Sequence, residues 1–185
     1  MQSATRFLVT LTALLMLHGP AWPGETPYNL GVDAYRSKDY TSARQHWTSA
    51  VGQGETAAMN NLGYLLFFGM GGAPDQARAV SLWTTAARDG QSESQWHLAV
   101  ALERGEGAGR DLVEAYAWYR CALAGMSAAA DDEDSEVMAD ARDGVIRTLE
   151  QLPTEKLAGA EGRARDYIAK FKAKPEARAT QSSAN

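Results

Sequence analysis

The sequence predicts an all-α fold, a right-handed α-solenoid of helix-turn-helix hairpins. Three observations carry that expectation. Trp47, Trp83 and Trp118 recur 36 and 35 residues apart, and Gly54, Gly90 and Gly125 recur at the same intervals. A second frame repeats at 36 residues, pairing Leu62-Gly63 with Leu98-Ala99, and Gly69 and Gly71 with Gly105 and Gly107. Each period also reads as apolar helical stripe, glycine break, apolar helical stripe, which is how helical-hairpin arrays are written. The composition, 45% hydrophobic and 22% charged over 185 residues, supplies enough apolar surface for a core.

Residues 1–21 read as an address rather than as fold. Arg6 precedes an apolar stretch from Phe7 to Leu17, and Gly19, Pro20 and Ala21 follow. That is the grammar of a secretory signal peptide cleaved after Ala21. The stretch is too short for the roughly 20 residues of a spanning helix. The expectation is export, to the bacterial periplasm, with no membrane insertion of the mature chain.

The first hairpin, residues 28–54, places Leu30, Gly31, Ala34 and Tyr35 on its first helix. Ser37 to Tyr40 make a tight turn, and Ala43, Trp47 and Ala50 mark its second helix, ending near Gly54. The second, 55–90, runs Ala58, Leu62, Leu65 and Leu66 down one face and breaks at Gly69 to Pro74. It is expected to be capped by Asp75 and to continue through Ala79, Leu82, Trp83 and Ala86 to Gly90. Gly63 inside a helix costs about 1 kcal/mol against Ala, which close approach of a neighbouring helix would explain. The third, 91–128, repeats the plan with Leu98, Ala99 and Leu102, then Gly105 to Gly109. Asp111 with Glu114 suggests a capping box, and Ala115, Trp118, Tyr119 and Ala122 lead to Gly125.

Beyond it, residues 129–172 read as an acidic loop and two capping helices that form a fourth hairpin sealing the solenoid. Val137, Ala141, Val145 and Leu149 mark one, Pro153 stops it, and Thr154 is the expected cap of the other, through Leu157, Ala164 and Phe171. The acidic run from Asp131 to Glu136 lacks the ligand spacing of a calcium loop. Residues 173–185 are polar and are expected to be a disordered tail.

Leu62, Gly63, Gly69, Gly71, Asp75, Ala79, Trp83, Ala86, Ala87 and Gly90 resemble the Sel-one-like repeat, a relative of the tetratricopeptide repeat. Leu98, Ala99, Gly105, Gly107, Asp111, Ala115, Trp118, Ala122 and Gly125 resemble a second copy, departing at Ala99, where that repeat usually has Gly. Gly31, Trp47 and Gly54 belong to a shorter hairpin closer to a tetratricopeptide unit. The resemblance spans about residues 28–128. It implies an interaction scaffold: an adaptor, a regulator or an immunity-type inhibitor in the cell envelope.

The residues offer little chemistry of bond making, and the expectation is a protein that is not an enzyme. His46 and His97 lack partners at metal-ligand spacing, and the glycine runs lack the Gly-Lys-Ser/Thr of a phosphate loop. Some proteins with this repeat handle β-lactams, but those are cysteine-rich. This chain has one cysteine, Cys121, and no Ser-x-x-Lys. The net charge of −5 argues against nucleic acid as a partner. No cofactor and no metal are expected. The three repeat tryptophans read as core. The partner is expected to be another, envelope-associated protein, held on the concave face lined by first helices. Tyr64, Phe67, Trp96 and His97 are the candidate recognition residues there, because aromatic side chains make effective hot spots. The competing classes are a hydrolase acting on cell wall or β-lactam, and a small-molecule carrier.

Overall fold

The computed structural model describes residues 26–126 and 134–172. The expected signal peptide, the first part of the acidic loop and the expected disordered tail lie outside the described residues. Among the described residues there are eight helices and no strand: α1 (Pro27–Arg36), α2 (Tyr40–Gly52), α3 (Thr56–Phe68), α4 (Gln76–Arg88), α5 (Ser92–Arg104), α6 (Leu112–Met126), α7 (Asp134–Gln151) and α8 (Thr154–Phe171). α1/α2, α3/α4 and α5/α6 are hairpins, and each second helix also packs on the first helix of the next unit. This is the predicted α-solenoid.

Local chemistry sets the helix ends. Thr26 Oγ1 accepts the Asn29 N–H at 3.2 Å, and Pro27 sits in the first turn, where its missing N–H has no intrahelical partner to lose. Asp39 and Asp75 accept the N–H groups of Ser42 and Arg78, each at 3.1 Å. Asp111 accepts two, from Val113 and Glu114, both at 3.0 Å. α3 and α5 stop at Gly69 and Gly105, whose φ angles of 68° and 74° favour glycine. Two expected caps differ. Glu114 does not close a capping box; its carboxylate accepts from Tyr167 Oη at 2.7 Å and pairs with Arg163, both on α8. Thr154 is the first residue of α8, Pro153 holds the cap position, and no side-chain bond caps that helix. Gly125 also differs from Gly54 and Gly90. Those two follow α2 and α4 at φ of 84° and 92°, whereas Gly125 is buried within α6.

The hairpins close by seating an aromatic ring of the second helix on a small residue of the first. A Cβ on Gly31 would run into the Trp47 indole, and one on Gly63 would lie 2.5 Å from Trp83 Nε1. The two indoles donate to the carbonyls of Tyr28 and Asn60, each at 3.2 Å, so each buried ring also finds its polar partner. Gly63 is thus explained by a neighbouring ring rather than by a neighbouring backbone.

The third unit departs from this arrangement at Ala99. Counting 36 residues from Asp75, Ala79 and Trp83 gives Asp111, Ala115 and Tyr119, so Tyr119, not Trp118, is the counterpart of Trp83. The Tyr119 ring is fully buried and seats on Gly144 of α7. Trp118, 3% exposed, faces α8 instead, with ring centroids 4.4 Å from Tyr167 and 5.5 Å from Phe171. It is core, but it docks the end of the molecule rather than closing its own hairpin.

The Gly-x-Gly turns have a second use. A Cβ on Gly71 would meet the Tyr40 carbonyl, and one on Gly107 would lie 2.5 Å from the Gln76 carbonyl. Each long turn therefore rests on the start of the preceding unit's second helix. Arg44 adds a bond to the Ala73 carbonyl at 3.0 Å. The first unit has no preceding second helix among the described residues, and its turn is short, with Lys38 in the left-handed region at φ 63°.

The end differs from the expected fourth hairpin. α7 and α8 make little contact with each other, and both pack on α6. Gln95 of α5 ties the end of α8 to the array through Nε2, which donates to the carbonyls of Ala87 at 3.0 Å and Phe171 at 2.8 Å. Cys121 is buried and directs its thiol at the Tyr167 carbonyl.

Candidate functional site

First helices of successive units lie side by side and form a groove of about 450 Å³. α1 contributes Tyr28, Val32, Tyr35 and Arg36, α3 contributes Asn60, Asn61 and Tyr64, α5 contributes His97, and the edge of Trp47 closes the floor. Positions three and four residues apart share one face of a helix, so Asn61, Tyr64 and Phe68 continue that surface on α3, as do His97, Val100 and Arg104 on α5. Phe68 is 59% exposed, with its ring 4.8 Å from Tyr64. An exposed phenylalanine beside a lined cavity is the strongest binding signal on this face.

His97 is the centre of an aromatic cluster. It stacks on Trp83 at 4.6 Å with an interplanar angle of 13°, and lies 4.5 Å from Trp96 and 6.0 Å from Tyr64. Burial pushes its pKa down to about 4, so the imidazole is neutral near pH 7. Burial also raises the Tyr28 phenol, against a hydrogen bond with Asn61 that acts the other way. Asn60 is fixed in place: its side chain donates to Glu93 at 2.8 Å and accepts from Ser94 at 2.9 Å.

Of the four recognition candidates, the structure brings Tyr64 and His97 to the groove. Phe67 is 8% exposed and packs on Trp83 at 5.1 Å, which leaves it little surface to offer. Trp96 donates its indole N–H to Asp140 of α7 at 2.7 Å. Phe67 and Trp96, expected to recognise a partner, thus take part in packing, Phe67 against α4 and Trp96 against α7, and Trp96 keeps part of its surface exposed. Leu62 and Leu98 are buried beside the small residues Gly63 and Ala99, in the core. Tyr28, Val32, Tyr35, Arg36 and Phe68 are not among the recognition residues expected from sequence, although their register against Gly31 and Gly63 carries the signal.

Asp140 belongs to a polar network that joins α5, α6 and α7. Arg147 lies 3.9 Å from Asp140 and bonds both oxygens of Glu103, at 2.9 and 3.2 Å. Tyr119 donates to Glu103 at 2.7 Å. Burial would raise the Glu103 pKa, but Arg147 and Tyr119 together hold it below the usual carboxylate range. The carboxylate is thereby committed to structure. Burial lifts the Cys121 thiol to about 12, far from a thiolate at neutral pH. Among the described residues no group of His, Cys, Asp and Glu could hold a metal ion. No helix among them is long and apolar enough to cross a membrane. The groove offers three phenols, an indole, an imidazole, two amides and a guanidinium, a set that can hold a ligand by stacking and hydrogen bonding.

Residues 56–91 and 92–125, covering α3 to α6, match the family model of the Sel1 repeat. Solved structures similar to this chain include two with known repeats. One is a protective antigen of uropathogenic Escherichia coli with an SLR fold, 28% identical over 85% of this chain and 32% of that one, with a TM-score of 0.69. The other is a Sel1 repeat protein from Oxalobacter formigenes, 32% identical over 53% of this chain and 39% of that one, with a TM-score of 0.50. The chain thus spans well under half the length of either. No curated protein matches it. The two matched units form part of a helical solenoid similar to the SLR fold of the first of these structures.

Proposed function

We propose that the chain is an exported, non-catalytic interaction module of the bacterial cell envelope that binds a partner protein on its concave face. One observation carries the reading: Tyr64 and the exposed Phe68 adjoin a cavity of about 450 Å³ built by three successive first helices. Aromatic anchors beside a preformed recess are what protein interfaces use as hot spots. The pattern of residues 1–21 supports export, and the repeats support a scaffold role, as adaptor, regulator or immunity-type inhibitor.

The test is recovery of partners by the tagged chain from the envelope fraction of producing cells, with Tyr64→Ala/Phe68→Ala as the control. A single partner held by the parent and lost by a folded variant supports the reading. Equal recovery by both contradicts it. A second reading, a small-molecule carrier, is favoured by the size of the cavity, which falls within the roughly 300–1,000 Å³ of ligand sites. It requires a ligand that co-purifies, is seen by native mass spectrometry and raises the melting temperature.

A further inference from the structure

We propose that the concave face receives an extended partner segment in which one aromatic side chain is flanked on both sides by acidic side chains. The inference rests on the groove being a protein-binding surface, and it names the chemistry of what fills it.

The argument starts from register. Gly31, Gly63 and Ala99 occupy equivalent places on α1, α3 and α5. One residue further, Val32, Tyr64 and Val100 form an apolar row across the three helices. Five residues further, Arg36, Phe68 and Arg104 form a second row, and all three are exposed. Cation, aromatic, cation is therefore the order met by anything lying across the helices.

The surrounding charges leave that rim positive. α3 carries no charged side chain between Thr56 and Phe68. On α5, Glu103 is neutralised by Arg147; Glu93 and Glu55 keep their charges but act on Tyr28, at the end of the groove away from Arg36 and Arg104. Asp33 lies 4.0 Å from Arg36, but both side chains are more than 70% exposed, so the pair is weak. The chain as a whole is acidic, at −5, which makes this cationic rim a local exception.

Geometry sets the spacing. Successive first helices touch mainly through side chains, so their axes lie somewhat beyond the roughly 8–10 Å of closely packed helices, and Arg36 and Arg104 stand on the order of 20–25 Å apart across α3. An extended chain rises about 3.3 Å per residue. An acidic residue about three positions either side of the aromatic one then meets both guanidinium groups while the ring rests on Phe68 and Tyr64. Rim charges of this kind add affinity and selectivity that salt screens.

The experiment is fluorescence-anisotropy titration with an end-capped, labelled Gly/Ser decapeptide. The peptide carries one Phe and an Asp three places to either side. Companion peptides carry Lys for both Asp, or Ala for Phe. The expected result is preference for the Asp peptide over the Lys peptide by about tenfold at low salt. That preference should vanish or reverse in Arg36→Glu/Arg104→Glu, whose thermal midpoint should fall only slightly, because both sites are exposed and the acid is mildly unfavourable at a helix C-terminus. Equal binding of the Asp and Lys peptides, no binding of either up to millimolar concentration, an unchanged preference in the charge-reversed protein, or binding that survives loss of the Phe would each overturn the inference. Partner recovery separates the two readings. A partner lost by Tyr64→Ala/Phe68→Ala but retained by Arg36→Glu/Arg104→Glu refutes the acidic segment and leaves the groove. A partner retained by both refutes both.

Discussion

At the scale of single residues, the molecule depends on where a Cβ is missing. Trp83 fills the space that Gly63 leaves open and also stacks on His97, so one ring joins two units. Trp83→Ala should cost about 3–5 kcal/mol in chemical denaturation. Gly63→Ala should cost about 1–3 kcal/mol by overpacking, despite the better helix propensity of alanine, because the atoms it meets belong to a rigid indole. An unchanged denaturation midpoint in either would contradict the placement. His97 supplies a pH signature. Its pKa is about 4 in the fold against about 6.5 when exposed, so the unfolded chain binds the proton first. Stability contributed by neutral His97 is complete above pH 6.5 and falls as pH drops toward 4, by an amount on the order of 3 kcal/mol. His97→Phe keeps a ring on Trp83 and removes the proton. Its denaturation midpoint should flatten across that window, and an unaltered slope would place the acid sensitivity elsewhere.

At the scale of elements, the instructive part is the end of the array. Trp118 kept the tryptophan interval in the sequence, yet Tyr119 stands in register with Trp83. A one-residue step on a helix turns a side chain by about 100°, which is enough to move it from one neighbouring helix to another. Periodicity in one residue type could not reveal this, whereas the Gly and Asp frame could. The capping helices were legible as helices from their apolar spacing, but not in their packing. That packing is decided by long-range contacts: Glu114 with Arg163 and Tyr167, Trp118 with Phe171, and Glu103 with Arg147. Arg147→Ala leaves the buried Glu103 carboxylate short of its donor and should cost about 2 kcal/mol. Hydrogen exchange should report it as faster opening of α7, with α1 to α4 unaffected. Uniform loss of protection through all helices would mean that α7 is not held as a separate element.

At the scale of the whole molecule, each unit prepares the surface on which the next one sits. The long turns rest on the preceding second helix, and the aromatic rings bridge neighbouring first helices. The consequence is a fixed row of first helices, and with it a preformed groove that needs little ordering when a partner arrives. The hairpins, their turns and the core tryptophans could be read from sequence because each repeats. The groove was legible only in part: Tyr64 and His97 stood out as aromatic or titratable, while α1 and Phe68 entered once equivalent positions were laid beside one another. Recovery of a partner by the parent chain and by the folded Tyr64→Ala/Phe68→Ala variant tests the account most directly. It predicts a partner that the parent retains and the variant loses, with the helical fold of the variant checked by circular dichroism alongside. A partner bound equally well by both proteins would contradict it and move the binding surface off the concave face.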